Sequence, residues 1–402
     1  MAIPFPLPAG RNPVGDPSCD RLAALSLLNV GETVLVAGTV HVGMKAVLLG
    51  VGQAGGKLTT ALAGFDADAG YGAVLDALAV NTAAADLDPL PLETVLVGQS
   101  RVNGHGVGGD NELGAEVMDE DAVEVLDALA PKITAEAEAV FVVAGLGGGT
   151  GSGGAPVLVR ELNRVYDVPV YAIGILPGRD EGTMYQVNAG RSLKTLVREA
   201  DATILLDNDA WRSAGESVEG GYEAINASMA KRIGLLLAAG EAVEGVGESV
   251  VDTSEVINTL RAGGMAAVGF ASAPAAEDPQ ENVTTVTSAV RSATMTGLSL
   301  PSATDADAAL VAVAGDPDRV SRKGAEKART WLQEETGSMQ VRGGDFPLDS
   351  DRIAALVLLA GVERSQRVEA FLERARQAVR DEREEKPDPA AAFENDEIDD
   401  LL

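Results

Sequence analysis

The sequence has little cysteine, few basic residues and no long hydrophobic run, and each shortage excludes a class of protein. Among its 402 residues, Cys19 is the single cysteine, which excludes a disulfide framework and a multi-cysteine metal site. No apolar run reaches the roughly 18 residues of a transmembrane helix, so we expect no insertion into a membrane. Hydrophobic residues still make up 46% of the chain, which is enough to build folded domains.

Basic residues are outnumbered: 31 lysines and arginines stand against 61 acidic residues, for a formal charge of −30. Such a surface repels phosphate backbones and anionic lipid headgroups, so nucleic-acid binding is excluded as the main function. Only 8 of the basic residues are lysines. Acidic excess with little lysine suits a protein in concentrated salt, because ionic strength screens the self-repulsion. An acidic surface that repels partners at ordinary salt is the alternative.

Five segments are predicted along the chain. Residues 1–43 are proline-rich and interrupted by charges, and Met44 then begins a buried strand, so we interpret 1–43 as an upstream extension, a start-site artefact without function. From Met44 to residue 220, apolar runs alternate with helical stretches, which predicts a doubly wound, Rossmann-like parallel sheet with helices on both faces. The predicted strands are Ala46–Leu49, Leu78–Val80, Val140–Ala144, Val168–Leu176 and Thr203–Leu206.

A long central helix is predicted over residues 221–245, where apolar residues recur at spacings of three and four (Ile225, Met229, Ile233 and Leu236). Residues 246–380 predict a second, smaller α/β domain with its own sheet. Residues 381–402 are acidic and proline-bearing, which predicts a disordered tail. Its end, FENDEIDDLL, is either solvated or a docking segment for a partner.

The first glycine loop, Gly50–Gly55, follows a strand and fits the GxGxxG pattern, whose glycines let backbone N–H groups approach phosphate. A dinucleotide site needs an acidic residue after the next strand to bind the ribose, and Asn81 stands there instead. A Walker loop needs Ser or Thr after its lysine, and Leu58 follows Lys57. A NAD-dependent oxidoreductase and a Walker-type nucleotide site are therefore both disfavoured.

A second loop is more specific, since seven of the ten residues Gly145–Gly154 are glycine and two others are Thr150 and Ser152. It follows a strand and precedes a helix predicted to start near Pro156, which indicates a phosphate cradle at a helix N-terminus. A third glycine stretch, Gly104–Asn111, lies between the first two. Three such loops at one edge of a parallel sheet predict a nucleoside triphosphate site.

These motifs resemble the tubulin and FtsZ superfamily of GTP-dependent filament proteins. GGGTGSG at 147–153 matches its signature loop, and Ser152 is the residue of the tubulin form, where FtsZ proteins usually have threonine. Gly52-Gln53-Ala54-Gly55 likewise resembles the tubulin form of the first loop. The acidic composition and the absence of long tubulin-type extensions resemble CetZ, the tubulin-like group of haloarchaea. The resemblance covers about residues 44 to 380 and implies an α/β, tubulin/FtsZ-like GTPase fold.

The resemblance implies that the chain binds GTP or GDP together with Mg²⁺, and it assigns no residue as a metal ligand. It assigns sixteen binding residues: Gln53, Ala54, Gly55, Gly56, Lys57, Asn81, Gly108, Gly109, Gly149, Thr150, Gly151, Ser152, Glu181, Asn208, Tyr222 and Asn226. Glu181 is expected at the ribose, Asn208 at the ribose or the guanine, and Tyr222 and Asn226 at the guanine. Tyr185 stands where FtsZ proteins place an arginine, which removes one expected contact.

The resemblance also implies that acidic residues of one subunit complete the GTP site of the next. Asp252 and Glu255 fall where the family keeps its acidic pair and are the expected catalytic residues. Glutamate at the second of these positions is also what tubulin has. Val250 replaces the family asparagine, a departure that favours slower hydrolysis. Asp252-x-x-Glu255 is also a capping box, which stabilises a helix without any chemistry.

The leading prediction is thus a GTP-hydrolysing protein that polymerises head to tail and controls cell shape or motility. We expect cytoplasmic filaments near the envelope, self-association as the main partnership, and envelope or regulatory proteins as further partners. An FtsZ-type division protein and a GTP-binding scaffold with negligible hydrolysis are the alternatives. The acidic tail lacks the mixed apolar and basic peptide that ends FtsZ proteins, which favours CetZ.

Overall fold

The computed structural model describes residues 43–211, 218–239 and 251–385, which form one ten-stranded sheet with helices on both faces. The strands are β1 (Ala46–Val51), β2 (Val74–Asn81), β3 (Glu93–Leu96), β4 (Ala139–Gly145), β5 (Val170–Leu176), β6 (Ala202–Asp207), β7 (Met265–Pro274), β8 (Ala303–Gly315), β9 (Gln340–Pro347) and β10 (Arg352–Ser365). The α-helices are α1 (Gly52–Ala69), α2 (Ala84–Leu87), α3 (Gln99–Val102), α4 (Asn111–Leu129), α5 (Gly149–Val165), α6 (Thr183–Glu199), α7 (Val218–Ala238), α8 (Thr253–Leu260), α9 (Asn282–Met295), α10 (Arg322–Thr336) and α11 (Gln366–Glu385).

The sheet has the strand order β3-β2-β1-β4-β5-β6-β7-β10-β8-β9. All pairings from β3 through β7 are parallel, β10 is antiparallel to both β7 and β8, and β9 is parallel to β8. Parallel strands covered on both faces bury nearly continuous apolar runs, and β1, β5 and β6 are buried along their whole length. The predicted doubly wound parallel sheet is therefore confirmed.

The C-terminal strands do not form a sheet of their own, which corrects one expectation. β7 pairs in parallel with β6 through Thr203 opposite Met265 and Ile204 opposite Ala266, so the second α/β region extends the first sheet. The junction is short because only these two pairs join the strands. Burial of Ala266, Ala267 and Val268 explains why β7 joins the sheet at this point.

Two apolar layers cover the two faces of the sheet. One layer contains residues of α4, α5, α6, α9 and α10, and the other contains residues of α1, α7 and α8. All four residues of the predicted apolar stripe on α7 are buried: Ile225, Met229, Ile233 and Leu236. The helix itself spans Val218–Ala238, earlier at both ends than the predicted 221–245.

Several predicted boundaries differ from the structure or cannot be compared with it. Helix α11 extends to Glu385, so the predicted start of the tail at residue 381 falls inside a helix. The extension up to residue 42, residues 240–250 including Val250, and the tail from residue 386 lie outside the described residues. None of the helices in the described ranges is long and apolar enough to cross a membrane.

The central helix connects two opposite ends of the sheet. The backbone N–H of Met44, just before β1, donates to the carbonyl of Leu237 at 2.9 Å, so the C-terminal end of α7 lies where β1 begins. Tyr222 and Asn226, near the other end of α7, lie with the glycine turn that follows β1. A 21-residue helix is about 30 Å long, which sets the separation of these two ends.

Candidate nucleotide site

A cleft of about 530 Å³ lies at the carboxyl ends of the parallel strands. It is lined by the residues that follow β1, β2, β4, β5 and β6 and by one face of α7. The carboxyl ends of parallel strands are where open α/β sheets bind their ligands. All three glycine loops found in the sequence contribute to this cleft.

Thirteen of the sixteen predicted binding residues line the cleft: Gln53, Ala54, Lys57, Asn81, Gly108, Gly109, Gly149, Thr150, Gly151, Glu181, Asn208, Tyr222 and Asn226. They come from segments up to 173 positions apart in the chain (226 − 53), yet they share one cavity. Their contacts with a nucleotide remain predictions.

The other three predicted residues do not line the cleft, because their positions are used for packing. A Cβ on Gly55 would lie 2.2 Å from the carbonyl oxygen of Val143, so this glycine lets α1 contact β4. A Cβ on Gly56 would lie 2.8 Å from the side chain of Leu90. The hydroxyl of Ser152 is buried and donates to the carbonyl of Gly148 within its own helix.

Helix α5 starts at Gly149, inside the glycine loop and seven residues before the predicted start at Pro156. A Cβ on Gly153 would lie 2.1 Å from the carbonyl oxygen of Asn111, so α5 contacts the start of α4 with no room for a side chain. This close packing overrides the low helix propensity of glycine. The loop therefore both lines the cleft and joins two helices.

The helices that begin at the cleft leave their first N–H groups available. The N-cap positions of α1 and α5 are Val51 and Gly148, and no side chain in the described part of the chain caps either helix. The first N–H groups of a helix have no intrahelical acceptor, and the helix dipole favours an anion beside them. Two such N-termini facing one cleft suit a polyphosphate.

A polar frame on the phosphate side was not found from the sequence. The carboxylate of Asp86 accepts one hydrogen bond from Gln53 Nε2 at 2.9 Å and another from Asn81 Nδ2 at 3.0 Å. The hydroxyls of Thr82 and Thr150 lie 2.7 Å apart, linking the loop after β2 to the start of α5. The one sequence signal for Asp86 was an acidic residue soon after a buried strand, which is too common to be specific.

On the opposite side of the cleft, Glu181 and Asn208 lie after β5 and β6. Oε1 of Glu181 accepts the backbone N–H of Gly178 at 2.7 Å, which fixes the loop between β5 and α6. Tyr185 also lines the cleft, and a Cβ on Gly147 would lie 3.2 Å from its ring. The residue that replaces the FtsZ arginine thus remains at the site as an aromatic side chain.

Tyr222 and Asn226 occupy one face of α7 and both line the cleft, as their spacing of four residues predicts. The Tyr222 side chain is 37% exposed, which is high for an aromatic residue beside a core. An exposed aromatic ring and an amide side by side can stack on a purine base and hydrogen-bond its edge.

The charges lining the described cleft are few and largely acidic: Lys57 is positive, whereas Asp86 and Glu181 are negative. A polyphosphate there must therefore be stabilised by N–H groups and by a cation that accompanies it. No group of three or more metal-binding side chains occurs among the described residues. Magnesium typically binds substrate phosphates, water and one or two carboxylates, and Asp86 fits that limited requirement.

The two predicted catalytic residues lie at the other end of α7, at the start of α8. Asp252 is the N-cap of α8: its Oδ1 accepts the N–H of Glu255 at 2.9 Å and the hydroxyl of Ser254 at 2.6 Å. Oε2 of Glu255 is buried and has no hydrogen-bond partner in the described parts of the chain. The other half of the capping box involves the backbone N–H of Asp252, which hydrogen-bonds the Glu255 carboxylate.

The environment of Glu255 raises the pKa of its carboxyl group above the ordinary value. Burial is the larger cause and the nearby Asp252 carboxylate adds to it, while Arg342 partly opposes the shift. The Asp252 backbone N–H also opposes the shift, but the net effect leaves a carboxylate that is costly to charge and is therefore a stronger base than an exposed glutamate.

The cleft and the arrangement of its loops are typical of an α/β nucleotide-binding protein, in which phosphates lie at helix N-termini. Comparison with protein families agrees and is more specific. Residues 45–215 match the GTPase domain of the tubulin/FtsZ family, and residues 215–377 match the C-terminal domain of tubulin-like CetZ. The chain belongs to the CetZ family of tubulin-like proteins.

Individual relatives have similar sequences and folds. Tubulin-like protein CetZ2 of Haloferax volcanii is 68% identical over 360 residues, which cover 89% of this chain and all of that protein. The structure of Haloferax volcanii CetZ2 as a GTPγS-bound protofilament matches with a TM-score of 0.82 at 67% identity, over 85% of this chain and all of the other. CetZ1 of the same organism, a GDP-bound monomer, matches with a TM-score of 0.76 at 46% identity, over 84% of this chain and all of the other.

Proposed function

We propose that this chain binds GTP in the cleft and assembles head to tail, and that Glu255 of one subunit completes hydrolysis in the cleft of the next. The observation that supports this most directly is the position of Glu255. Its carboxylate, whose Oε2 has no hydrogen-bond partner among the described residues, lies beyond the C-terminal end of α7, whereas Tyr222 near the N-terminal end lines the cleft. About 24 Å of helix separates Tyr222 from Ala238, and Glu255 is not among the residues that line its own cleft.

In this proposal the phosphates lie against the first turns of α1 and α5, with the N–H groups near Gln53 and Thr150 as donors. Tyr222 stacks on the guanine and Asn226 hydrogen-bonds its edge. Glu181 and Asn208 face the ribose. The structure of Haloferax volcanii CetZ2 is a GTPγS-bound protofilament, which supports both the ligand class and end-to-end assembly.

Hydrolysis in this arrangement needs a base near the γ-phosphate. Glu255 from the neighbouring subunit orients a water molecule and accepts a proton from it as the water attacks in line with the leaving group. Magnesium, when bound, supplies positive charge to the phosphate oxygens. Asp252 contributes by holding the first turn of α8, which sets the direction of the Glu255 side chain.

The cellular role that fits this chemistry is control of cell shape or motility by cytoplasmic filaments near the envelope. A division-ring role is the alternative. Deleting the gene and imaging live cells separates the two, because loss of shape control with normal division supports the proposal. Filamentous, undivided cells would instead indicate the division role.

The biochemical test measures GTP hydrolysis against protein concentration in molar KCl, for wild type and for Glu255→Ala. A rate per subunit that rises above a threshold concentration, and that the variant loses while still binding GTP, is expected. A rate independent of concentration, or a variant as active as wild type, would overturn the shared site.

Subunit mixing tests the shared site more directly. Glu255→Ala supplies an intact cleft, and the Tyr222→Ala, Asn226→Ala double variant supplies an intact Glu255. If one site is formed from two subunits, the mixture hydrolyses GTP faster than the sum of the two proteins measured separately. Purely additive rates would mean that each subunit acts alone.

A further inference from the structure

Arg367, at the start of α11, forms a buried ion pair with a residue 160 positions earlier in the chain. Its Nε donates to Oδ2 of Asp207 at 2.7 Å, and its Nη2 donates to Oδ1 at 2.8 Å. Only 3% of the Arg367 side chain and 2% of the Asp207 side chain are exposed. This two-pronged geometry fixes both position and orientation, which a single hydrogen bond would not.

The same guanidinium contacts the ends of two strands that form the cleft. Nη2 of Arg367 lies 3.2 Å from the carbonyl oxygen of Pro177, just after β5, and 3.2 Å from Oδ2 of Asp209. Pro177 lines the cleft, as does Asn208, which lies between Asp207 and Asp209 in the sequence. One side chain therefore holds both loops on this side of the cleft.

Further hydrogen bonds connect these loops to Glu181. The backbone N–H of Arg179 donates to both carboxylate oxygens of Asp209, at 3.1 and 3.2 Å. The N–H of Gly178, one residue after Pro177, donates to Oε1 of Glu181 at 2.7 Å. A displacement of Arg367 would thus move the backbone that positions Glu181 and Asn208.

The position of Arg367 depends in turn on how α11 packs. A Cβ on Gly190 of α6 would lie 3.1 Å from the Cβ of Ala375, so the two helices approach closely at a residue without a side chain. Phe371, one turn after Arg367, is fully buried. Helix α11 is therefore held against the body of the protein in the two turns that follow the ion pair.

We propose that Arg367 is a positioning residue of the nucleotide site, which makes the C-terminal helix a structural part of the cleft wall beside the ribose. The inference rests on the proposed function, because it assumes that Glu181 and Asn208 face the ribose of bound GTP. Arg367 does not touch the nucleotide. It acts by fixing the loops after β5 and β6.

The test compares the binding of GTP and 2′-deoxy-GTP to the full chain below its assembly threshold, by fluorescence titration. Arg367→Lys keeps the charge but loses the two-pronged hydrogen bonding to Asp207. Asp209→Ala keeps the Arg367–Asp207 pair and removes the contacts of Asp209 with Arg179 and Arg367. Arg376→Gln is the matched control, since Arg376 is exposed on the same helix and pairs with Glu373 at 3.3 Å. Thermal unfolding of each variant is measured in parallel.

Both variants are expected to lose affinity for GTP by about tenfold, the effect of a misplaced hydrogen bond to a charged group. Affinity for 2′-deoxy-GTP should fall less, so the preference for GTP shrinks, while Arg376→Gln behaves as wild type. Asp209→Ala decides the question if Arg367→Lys does not fold.

Two outcomes would overturn the inference. One is an unchanged preference for GTP over 2′-deoxy-GTP in both variants; the other is an equal loss of affinity for both nucleotides with a lower melting temperature, which would indicate a purely structural role. A wild-type chain that binds no GTP would instead defeat the proposed function first, so the two failures are distinguishable.

Discussion

The two ends of α7 use helix N-termini in opposite ways. At the cleft, α1 and α5 begin at Val51 and Gly148 without a side-chain cap from any described residue, so backbone donors remain available. At the other end, Asp252 caps α8 by accepting the N–H of Glu255. What remains unbonded there is an acceptor, Oε2 of Glu255, within the described residues.

This difference teaches how one reaction can be divided between two surfaces. In the proposed mechanism, the cleft end supplies donors for an anion and the Glu255 end supplies a base. Head-to-tail stacking would bring these two chemistries together. The predictions below test this division, beginning with the largest expected effect.

Replacing Glu255 by Gln removes the base while preserving the size of the side chain. We expect the rate of GTP hydrolysis to fall by about 10²- to 10⁴-fold, because a positioned general base contributes that much. GTP affinity should not change, since Glu255 lies outside its own cleft. Steady-state phosphate release and nucleotide titration measure the two effects, with the exposed Glu334→Gln as the control. A normal rate of hydrolysis in Glu255→Gln would show that Glu255 is not the base.

The glycine loop between β4 and α5, on the phosphate side of the cleft, should be sensitive to added side chains. A Cβ on Gly153 would collide with the carbonyl of Asn111, so Gly153→Ala should reduce the free energy of unfolding by about 1–3 kcal/mol and weaken nucleotide binding by displacing α5. Gly148→Ala is the control in the same loop, because no described atom lies within 4 Å of its Cβ position. Denaturant unfolding that gives equal stability for both variants would contradict this packing role.

The sequence predicted the fold where local patterns determine the structure. Long apolar runs can form only buried strands or helices, so β1, β4 and β6 were predicted close to their observed positions. The stripe from Ile225 to Leu236 predicted α7 for the same reason. The glycine loops predicted the position of the cleft and many of the residues that line it. Each loop follows a strand, and the carboxyl ends of parallel strands lie at one edge of the sheet.

Features that depend on distant residues could not be predicted in this way. The pair formed by Arg367 and Asp207 joins residues 160 positions apart, and neither has a local pattern that announces a partner. The start of α5 at Gly149 was missed because helix propensity penalises glycine, while contact with α4 determines the outcome. The continuous sheet was missed because two residue pairs of β6 and β7 join its halves.

Tyr222 presents an exposed aromatic ring to the cleft from α7. Tyr222→Ala should weaken GTP binding by about 1–3 kcal/mol, the contribution of stacking between a base and an aromatic side chain. Tyr222→Phe keeps the ring and should bind nearly as well as wild type. Calorimetric titration of both variants with GTP provides the measurement. Equal affinities for the two variants would show that no base stacks on this face of α7.

Acidification should slow hydrolysis before it unfolds the cleft. The pKa of Glu255 is raised, chiefly by burial, so its carboxylate is protonated at a higher pH than an ordinary glutamate. Since the charged form is the base, the rate should fall about tenfold for each pH unit below that pKa. The folded state favours the protonated form, so this group alone stabilises the fold more as pH falls, and stability should not follow the rate. The test is to measure the hydrolysis rate and the melting temperature over the same range of pH. A rate and a melting temperature that fall together would contradict the prediction.

The smallest expected effect separates the cap from the base. Asp252→Ala removes the acceptor for the N–H of Glu255 and should lower the free energy of unfolding by about 1 kcal/mol, the usual cost of losing an N-cap. Asp252→Asn supplies an equally good cap without the charge, so stability should be retained. If Asp252 acts only by holding α8, Asn at this position also preserves most of the hydrolysis rate. A rate as low in Asp252→Asn as in Glu255→Gln would instead make Asp252 a second catalytic carboxylate, and the far end of α7 would then supply two acidic groups to its neighbour.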